Sequence, residues 1–181
     1  MDPIVANQTI GVMGSGTNEH DDLSRDIGEL LAGFGVNLLT GGGRGAMTSV
    51  SRAFVQASRT RGVCIGIIPC FSETERSRAK DGYPNEYVEL PIYTHLPHSG
   101  PRGKEDLSRN HINILSSVAI IALPGEEGTA TEVSLAVDYK KPVIAYSPQR
   151  HLVEHFSKSV PRATTLREVE EFLGRHLTRT P

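Results

Sequence analysis

Arg109 and Glu132 bracket the part of this chain richest in chemistry, RNHINILSSVAIIALPGEEGTATE. Between them a wholly apolar run, Val118–Leu123, leads into Pro124-Gly125-Glu126-Glu127-Gly128-Thr129. A strand that ends in a glycine-bearing loop at a helix start offers an anion unpaired backbone N–H groups and the positive end of the helix dipole. An arginine suits phosphate, and a carboxylate at the cradle's edge can handle a proton or stabilise positive charge on a sugar. The stretch therefore points to a phosphate-bearing small molecule. Glu132 also has a local reading, because Thr129-Ala-Thr-Glu132 fits a capping box with Thr129 as N-cap. At about 100° per residue, Arg109, Asn113 and Ser116 fall on one side of a helix whose apolar stripe is Leu107, His111, Ile114 and Leu115. That side is either solvated or turned to a ligand.

Two further glycine loops follow short apolar runs: Gly14-Ser15-Gly16 after QTIGVM, and Gly41-Gly42-Gly43-Arg44-Gly45, with Met47 close behind, after VNLLT. The first lacks the third glycine of a dinucleotide fingerprint, since Glu19 stands there. The second lacks the Gly-Lys-Ser/Thr of a P-loop. These glycines serve tight strand-to-helix turns or a phosphate-facing nest of amides. His151 and His155 have the four-residue spacing of a helical metal pair, but HLVEH is not HExxH and brings no third ligand. No metal site is expected. Cys64 and Cys70 form neither a zinc pattern nor a CxxC pair and read as reduced thiols.

The elements that position these loops alternate between short strands and helices. Strands are expected at Gln8–Met13, Val36–Thr40, Gly62–Ile68, Val118–Leu123 and Pro142–Tyr146. Asp22 is a plausible N-cap for a helix through Leu31 that ends at Gly33 or Gly35. Further helices carry Val50, Ala53 and Phe54, span Thr131–Tyr139, and start at the capping box Thr165–Glu168. This order predicts an α/β fold, a three-layer Rossmann-like domain with a mostly parallel sheet and one domain over residues 1–181. Ligands in such sheets collect at the strand C-terminal ends beside the topological switch point. Residues 71–104 break the rhythm, with four prolines and one possible strand at Tyr87–Tyr93. They are read as a candidate flap over the site or a surface excursion. Within them, Glu73–Lys80 reads as a solvated helical face.

The 181 residues are enough for one sizeable core. A formal net charge of −2 offers no field for nucleic acid or an anionic membrane. No apolar run reaches membrane-spanning length, and the N-terminal MDPIVANQTI does not read as a signal peptide. The expectation is a cytoplasmic protein whose partner is a small molecule.

With GGGRGAM (Gly41–Met47), Arg109 and PGEEGTATE (Pro124–Glu132) assembled, the chain resembles the Lonely Guy and molybdenum-cofactor-carrier superfamily from about Thr9 to Tyr146. Arg109 lies fifteen residues before Pro124, as in the phosphoribohydrolase branch. The resemblance implies Arg109 and Glu132 as a catalytic pair that releases a base from a nucleoside 5′-monophosphate. Gly14, Ser15, Gly16, Gly41, Gly42, Gly43, Gly45, Met47, Asn113, Pro124, Gly125, Gly128 and Thr129 would bind the phosphate or nucleotide. It implies a homodimer or higher oligomer and no resident cofactor. The alternative is a non-catalytic carrier of molybdenum cofactor or a related phosphorylated pterin, whose branch the shorter GGGRGAM turn and RNHINILSS resemble more closely. Glu126 stands where the family has the second glycine of PGG, and Val118 where an acidic residue usually opens the strand.

Overall fold

Seven parallel strands make one sheet in the order β4-β3-β2-β1-β5-β6-β7 in the computed structural model, which describes residues 8–57 and 62–177. The strands are β1 Thr9–Met13, β2 Asn37–Thr40, β3 Cys64–Ile68, β4 Leu90–Tyr93, β5 Ala119–Ala122, β6 Val143–Tyr146 and β7 Arg162–Ala163. The α-helices are α1 Asp21–Phe34, α2 Ala46–Ala57, α3 Asn110–Leu115, α4 Glu127–Asp138 and α5 Leu166–His176. The fold is the three-layer α/β Rossmann-like arrangement expected, with every strand pair parallel.

Alternation along each strand explains the layers, because neighbouring side chains point to opposite faces. Ile10, Val12, Leu38 and Ile121 meet Ile27 and Leu31 of α1, Val50 and Phe54 of α2, and Phe172 and Leu173 of α5. Met13, Leu39 and Ile120 meet Ile114 of α3, Val133 and Ala136 of α4, and Phe156 on the other face. β5 and β6 are buried throughout, which is why they read as unbroken apolar runs. β1 pairs with β2 on one side and β5 on the other, so the chain reverses direction across the sheet there. That reversal opens a crevice between the loops that leave β1 and β5.

Several local expectations change. α1 starts at Asp21 after His20, which sits in the left-handed region at φ 44°, rather than at an Asp22 cap. Asp21 instead bonds Ser49 and Arg52 on α2. The helix ends at Gly35, with φ 70°. Only Leu90–Tyr93 of the possible strand pairs, at the sheet edge against β3. Residues 73–80 are not helical: Phe71 N–H donates to Arg78 O at 2.8 Å and Lys80 N–H to Pro69 O at 3.0 Å, folding the segment back. His151 lies in a short 3-10 helix, Arg150–Val153, and His155 beyond it, so the α-helical spacing does not hold. β7 is two residues long and leaves no periodic signal. The Thr165–Glu168 capping box forms as read. No helix among the described residues is long and apolar enough to cross a membrane.

Candidate functional site

Arg109 immediately precedes α3, and only 3% of its surface is exposed. The short helix buries its polar side. Asn110 and Asn113 go inward with Ile114, whereas Leu115 and Ser116 face out. The stripe expected from Leu107, His111, Ile114 and Leu115 is therefore corrected. His111 is held outside by the Tyr139 hydroxyl at 2.7 Å, and Ser116 takes no part in the site. Arg109 Nη1 donates to Asn110 Oδ1 at 3.0 Å and lies 3.4 Å from Glu132 Oε1. Its guanidinium rests on Gly41, where an added Cβ would stand 2.7 Å from Cζ. Among the described residues, Arg109 Nε and Asn113 Oδ1 are buried without a hydrogen-bond partner.

α4 begins one turn earlier than the sequence suggests, at Glu127 with Glu126 as N-cap. Thr129 is thus the third helical residue, and the Thr129–Glu132 capping box does not form. Glu132 instead turns into the interior, where Oε1 accepts from Asn113 Nδ2 at 3.2 Å and meets Arg109. Burial pushes its carboxyl above the usual carboxylate range, against the pull of Arg109 and the Asn113 hydrogen bond. The helix start itself is uncapped by any side chain. Among the described residues, the amides of Glu127, Gly128 and Thr129 have no acceptor.

Glu126 has an ordinary extended backbone, φ −89° and ψ −157°, so its position needs no glycine. Its carboxylate accepts from Ser15 Oγ at 2.8 and 3.0 Å, Thr17 Oγ1 at 3.2 Å and Asn18 Nδ2 at 3.4 Å. Partial burial would raise this carboxyl, but hydrogen bonds from Ser15, its own backbone and Thr17, with the charge of His20, hold it below the usual range. Ser15 is fully buried, and its Oγ accepts the amides of Thr17 at 3.1 Å and Asn18 at 2.9 Å.

These groups surround a cleft of about 460 Å³ at the β1/β5 crossover. Of the residues singled out in the sequence, Gly14, Gly16, Met47, Arg109, Glu126, Gly128, Thr129 and Glu132 line it. Ser15, Pro124 and Gly125 lie behind the wall, where Ser15 N–H donates to Pro124 O at 3.1 Å and joins the two loops. Asn113 lies beneath Glu132. Gly41, Gly42, Gly43 and Gly45 do not line the cleft. They pack on Arg109, Ile68, Tyr83 and the Ser15–Thr17 backbone respectively. Gly45, at φ 64°, also meets a backbone demand that L side chains rarely satisfy. The second glycine loop thus forms tight turns under the site.

Sequence reasoning missed Thr17, Tyr83, Ser99, Gly100, Pro101, Asn110 and Glu127 as lining residues. Asn110 was findable by letting the polar face of α3 point inward. Tyr83 and Ser99–Pro101 arrive from segment 71–104 and carry no local signal.

A family model described as the SLOG cluster4 family matches residues 7–173. The molybdenum cofactor binding protein from the phototrophic bacterium Rippkaea orientalis is 30% identical, with 95% of this chain and 98% of that chain covered at a TM-score of 0.71. The molybdenum cofactor carrier protein from Chlamydomonas reinhardtii is 27% identical, covering 93% and 99% at a TM-score of 0.62. An uncharacterised protein from Archaeoglobus fulgidus is 29% identical over 141 residues, 77% of this chain and 80% of that one.

Proposed function

Because this chain belongs to the SLOG cluster4 family, which lies in the superfamily its motifs resemble, we propose that it binds a phosphorylated pterin, molybdenum cofactor or a close relative, at the β1/β5 crossover. One observation carries this reading: Glu127, Gly128 and Thr129, whose amides are uncommitted, line the same cleft as Arg109. A helix start of that kind holds a phosphate through dipoles and N–H donors. Gly14, Gly16 and Met47 would flank the ligand, and the buried Asn113 would keep Glu132 in place. Segment 71–104 would act as a flap through Tyr83, Ser99 and Pro101, which line the cleft. The names of the neighbours from Rippkaea orientalis and Chlamydomonas reinhardtii support the pterin class. A cytoplasmic location and a homodimer or higher assembly belong to the same proposal.

A second reading, hydrolysis of a nucleoside 5′-monophosphate to free base and ribose 5-phosphate, is favoured by the raised carboxyl of Glu132. An acid that holds its proton more tightly than an ordinary carboxylate can protonate a departing base, with Arg109 polarising it. Carriage is preferred because both members of the pair are already engaged by protein, Arg109 by Asn110 and Glu132 by Asn113.

The test is mass spectrometry and oxidised-pterin fluorescence on material released from the purified full chain, beside a nucleoside monophosphate panel assayed for ribose 5-phosphate. A phosphorylated pterin in near-stoichiometric amount, and no base release, is the expected result. Base release that vanishes in both Arg109→Ala and Glu132→Ala, with no pterin bound, would overturn carriage in favour of hydrolysis.

A further inference from the structure

The two loops that form the cleft mouth are unequal as anion sites. In the β1 loop every donor noted above is already spent: the hydroxyls of Ser15 and Thr17 and the side-chain amide of Asn18 end on Glu126, and the backbone amides of Thr17 and Asn18 end on Ser15 Oγ. The neighbouring α4 amides, which begin one residue after Glu126, are unspent. The loops abut, because Ser15 N–H donates to Pro124 O and a Cβ on Gly125 would stand 2.8 Å from Ser15 N. A carboxylate on a short tether is thus seated where a second phosphate group would otherwise find hydroxyl and amide donors.

We infer that Glu126 is a tethered anion that fills the β1-loop half of the anion site, so that the cleft accepts one phosphate group and rejects a diphosphate. This specificity role rests on the phosphate-binding reading given above. Two physical effects act together. A diphosphate whose first group sits on the α4 amides would bring its second beside a like charge. It would also have to displace the carboxylate from Ser15, Thr17 and Asn18, leaving that charge without its donors. The geometry suits the role without backbone strain, since Glu126 holds an extended conformation open to any residue.

The experiment compares binding of guanosine 5′-monophosphate and 5′-diphosphate by titration calorimetry to the full chain, Glu126→Gln and Glu126→Ala, each first freed of any pterin carried through purification. Guanine offers the same 2-amino-4-oxo-pyrimidine edge as a pterin. The native chain should favour the monophosphate by about tenfold or more. Both variants should gain diphosphate affinity by about tenfold, Glu126→Ala the more strongly, with the monophosphate changed by less than about threefold. Melting curves of the three proteins check that each is folded. An unchanged ratio in both folded variants would overturn the inference and leave phosphate binding intact. Loss of monophosphate affinity in both would also overturn it, by making Glu126 a ligand contact. If none of the three proteins binds either nucleotide, the binding reading itself fails, and the inference with it.

Discussion

Two carboxylates near the start of α4 look into one cleft from different surroundings. Glu126, at the mouth, is solvated and surrounded by hydroxyl and amide donors, and its carboxyl is held below the usual range. Glu132, less than two turns on, is buried beside Arg109, and burial lifts its carboxyl above that range. The first is an anion kept as an anion. The second keeps its proton more readily even with an arginine 3.4 Å away. The difference shows how this cleft would hold a negative ligand. The buried cation Arg109 faces a buried acid, and the mouth carries the negative charge of Glu126, so attraction must come chiefly from helix amides.

The sharpest way to break this contrast is Arg109→Ala. Removing one member of a buried pair leaves the other uncompensated, and about 3 kcal/mol of stability should be lost at neutral pH. A carboxyl raised above its unfolded value of 4.5 contributes stability below that value, and this is lost as pH rises through the folded value. Without Arg109 the rise is larger, so urea unfolding should show a greater deficit at pH 7 than at pH 5. Adding Glu132→Gln should recover part of it. Equal deficits at both pH values would mean that Arg109 acts through packing on Gly41 alone.

Ser15→Ala addresses the other carboxylate. It deletes a buried hydroxyl that donates to Glu126 and accepts two loop amides, at a cost of about 1–2 kcal/mol. Ser15 is the leading favourable influence on Glu126, so its carboxyl should move up towards the ordinary range in a carbon-13 titration. A lowered carboxyl stabilises the fold above its unfolded value of 4.5, and that contribution is lost as pH falls through the folded value. In the variant the acid-side loss should therefore flatten. A Glu126 titration that stays in place would mean its own backbone and Thr17 suffice.

The same contrast marks what the sequence makes legible. β5 and β6 were readable because strands buried on both faces are continuous apolar runs, and the glycine loops because turns there demand glycine. Arg109 and Glu132 were legible as chemistry but not as geometry. A six-residue helix is too short for its polar side to reveal that it faces inward, so helical spacing misses Asn110 and groups Ser116, which faces out, with Arg109 and Asn113. Thr129-x-x-Glu132 obeys the capping rule locally, yet α4 begins a turn earlier, and the competing partner, Arg109, lies twenty-three residues away. Glu126 stood out as a departure from glycine, but its partners in the β1 loop are more than a hundred residues distant. Local rules decide elements; long-range pairing decides what a side chain in them does.

Glu168 supplies the mildest test, because it is a carboxylate lowered like Glu126 but far from the cleft. Its Oε2 accepts the backbone amides of Thr164 at 2.8 Å and Thr165 at 2.9 Å, and these are the leading causes of its lowered pKa. Glu126 by contrast depends first on a side-chain hydroxyl. Thr165→Ala removes the cap hydroxyl, which accepts from Glu168 N–H and donates to Oε2 at 3.1 Å, but leaves in place both backbone donors, the larger causes of the lowering. The Glu168 titration should therefore hardly move, whereas Glu126 shifts visibly in Ser15→Ala. The melting temperature should fall by about 2 °C, the ordinary effect of a lost N-cap in a chain of this size. Affinity for guanosine 5′-monophosphate should stay within about twofold, since α5 lines no part of the cleft. If Glu168 moved as far as Glu126, hydroxyl donors would govern both carboxylates equally, and the special dependence of the cleft mouth on Ser15 would have to be abandoned.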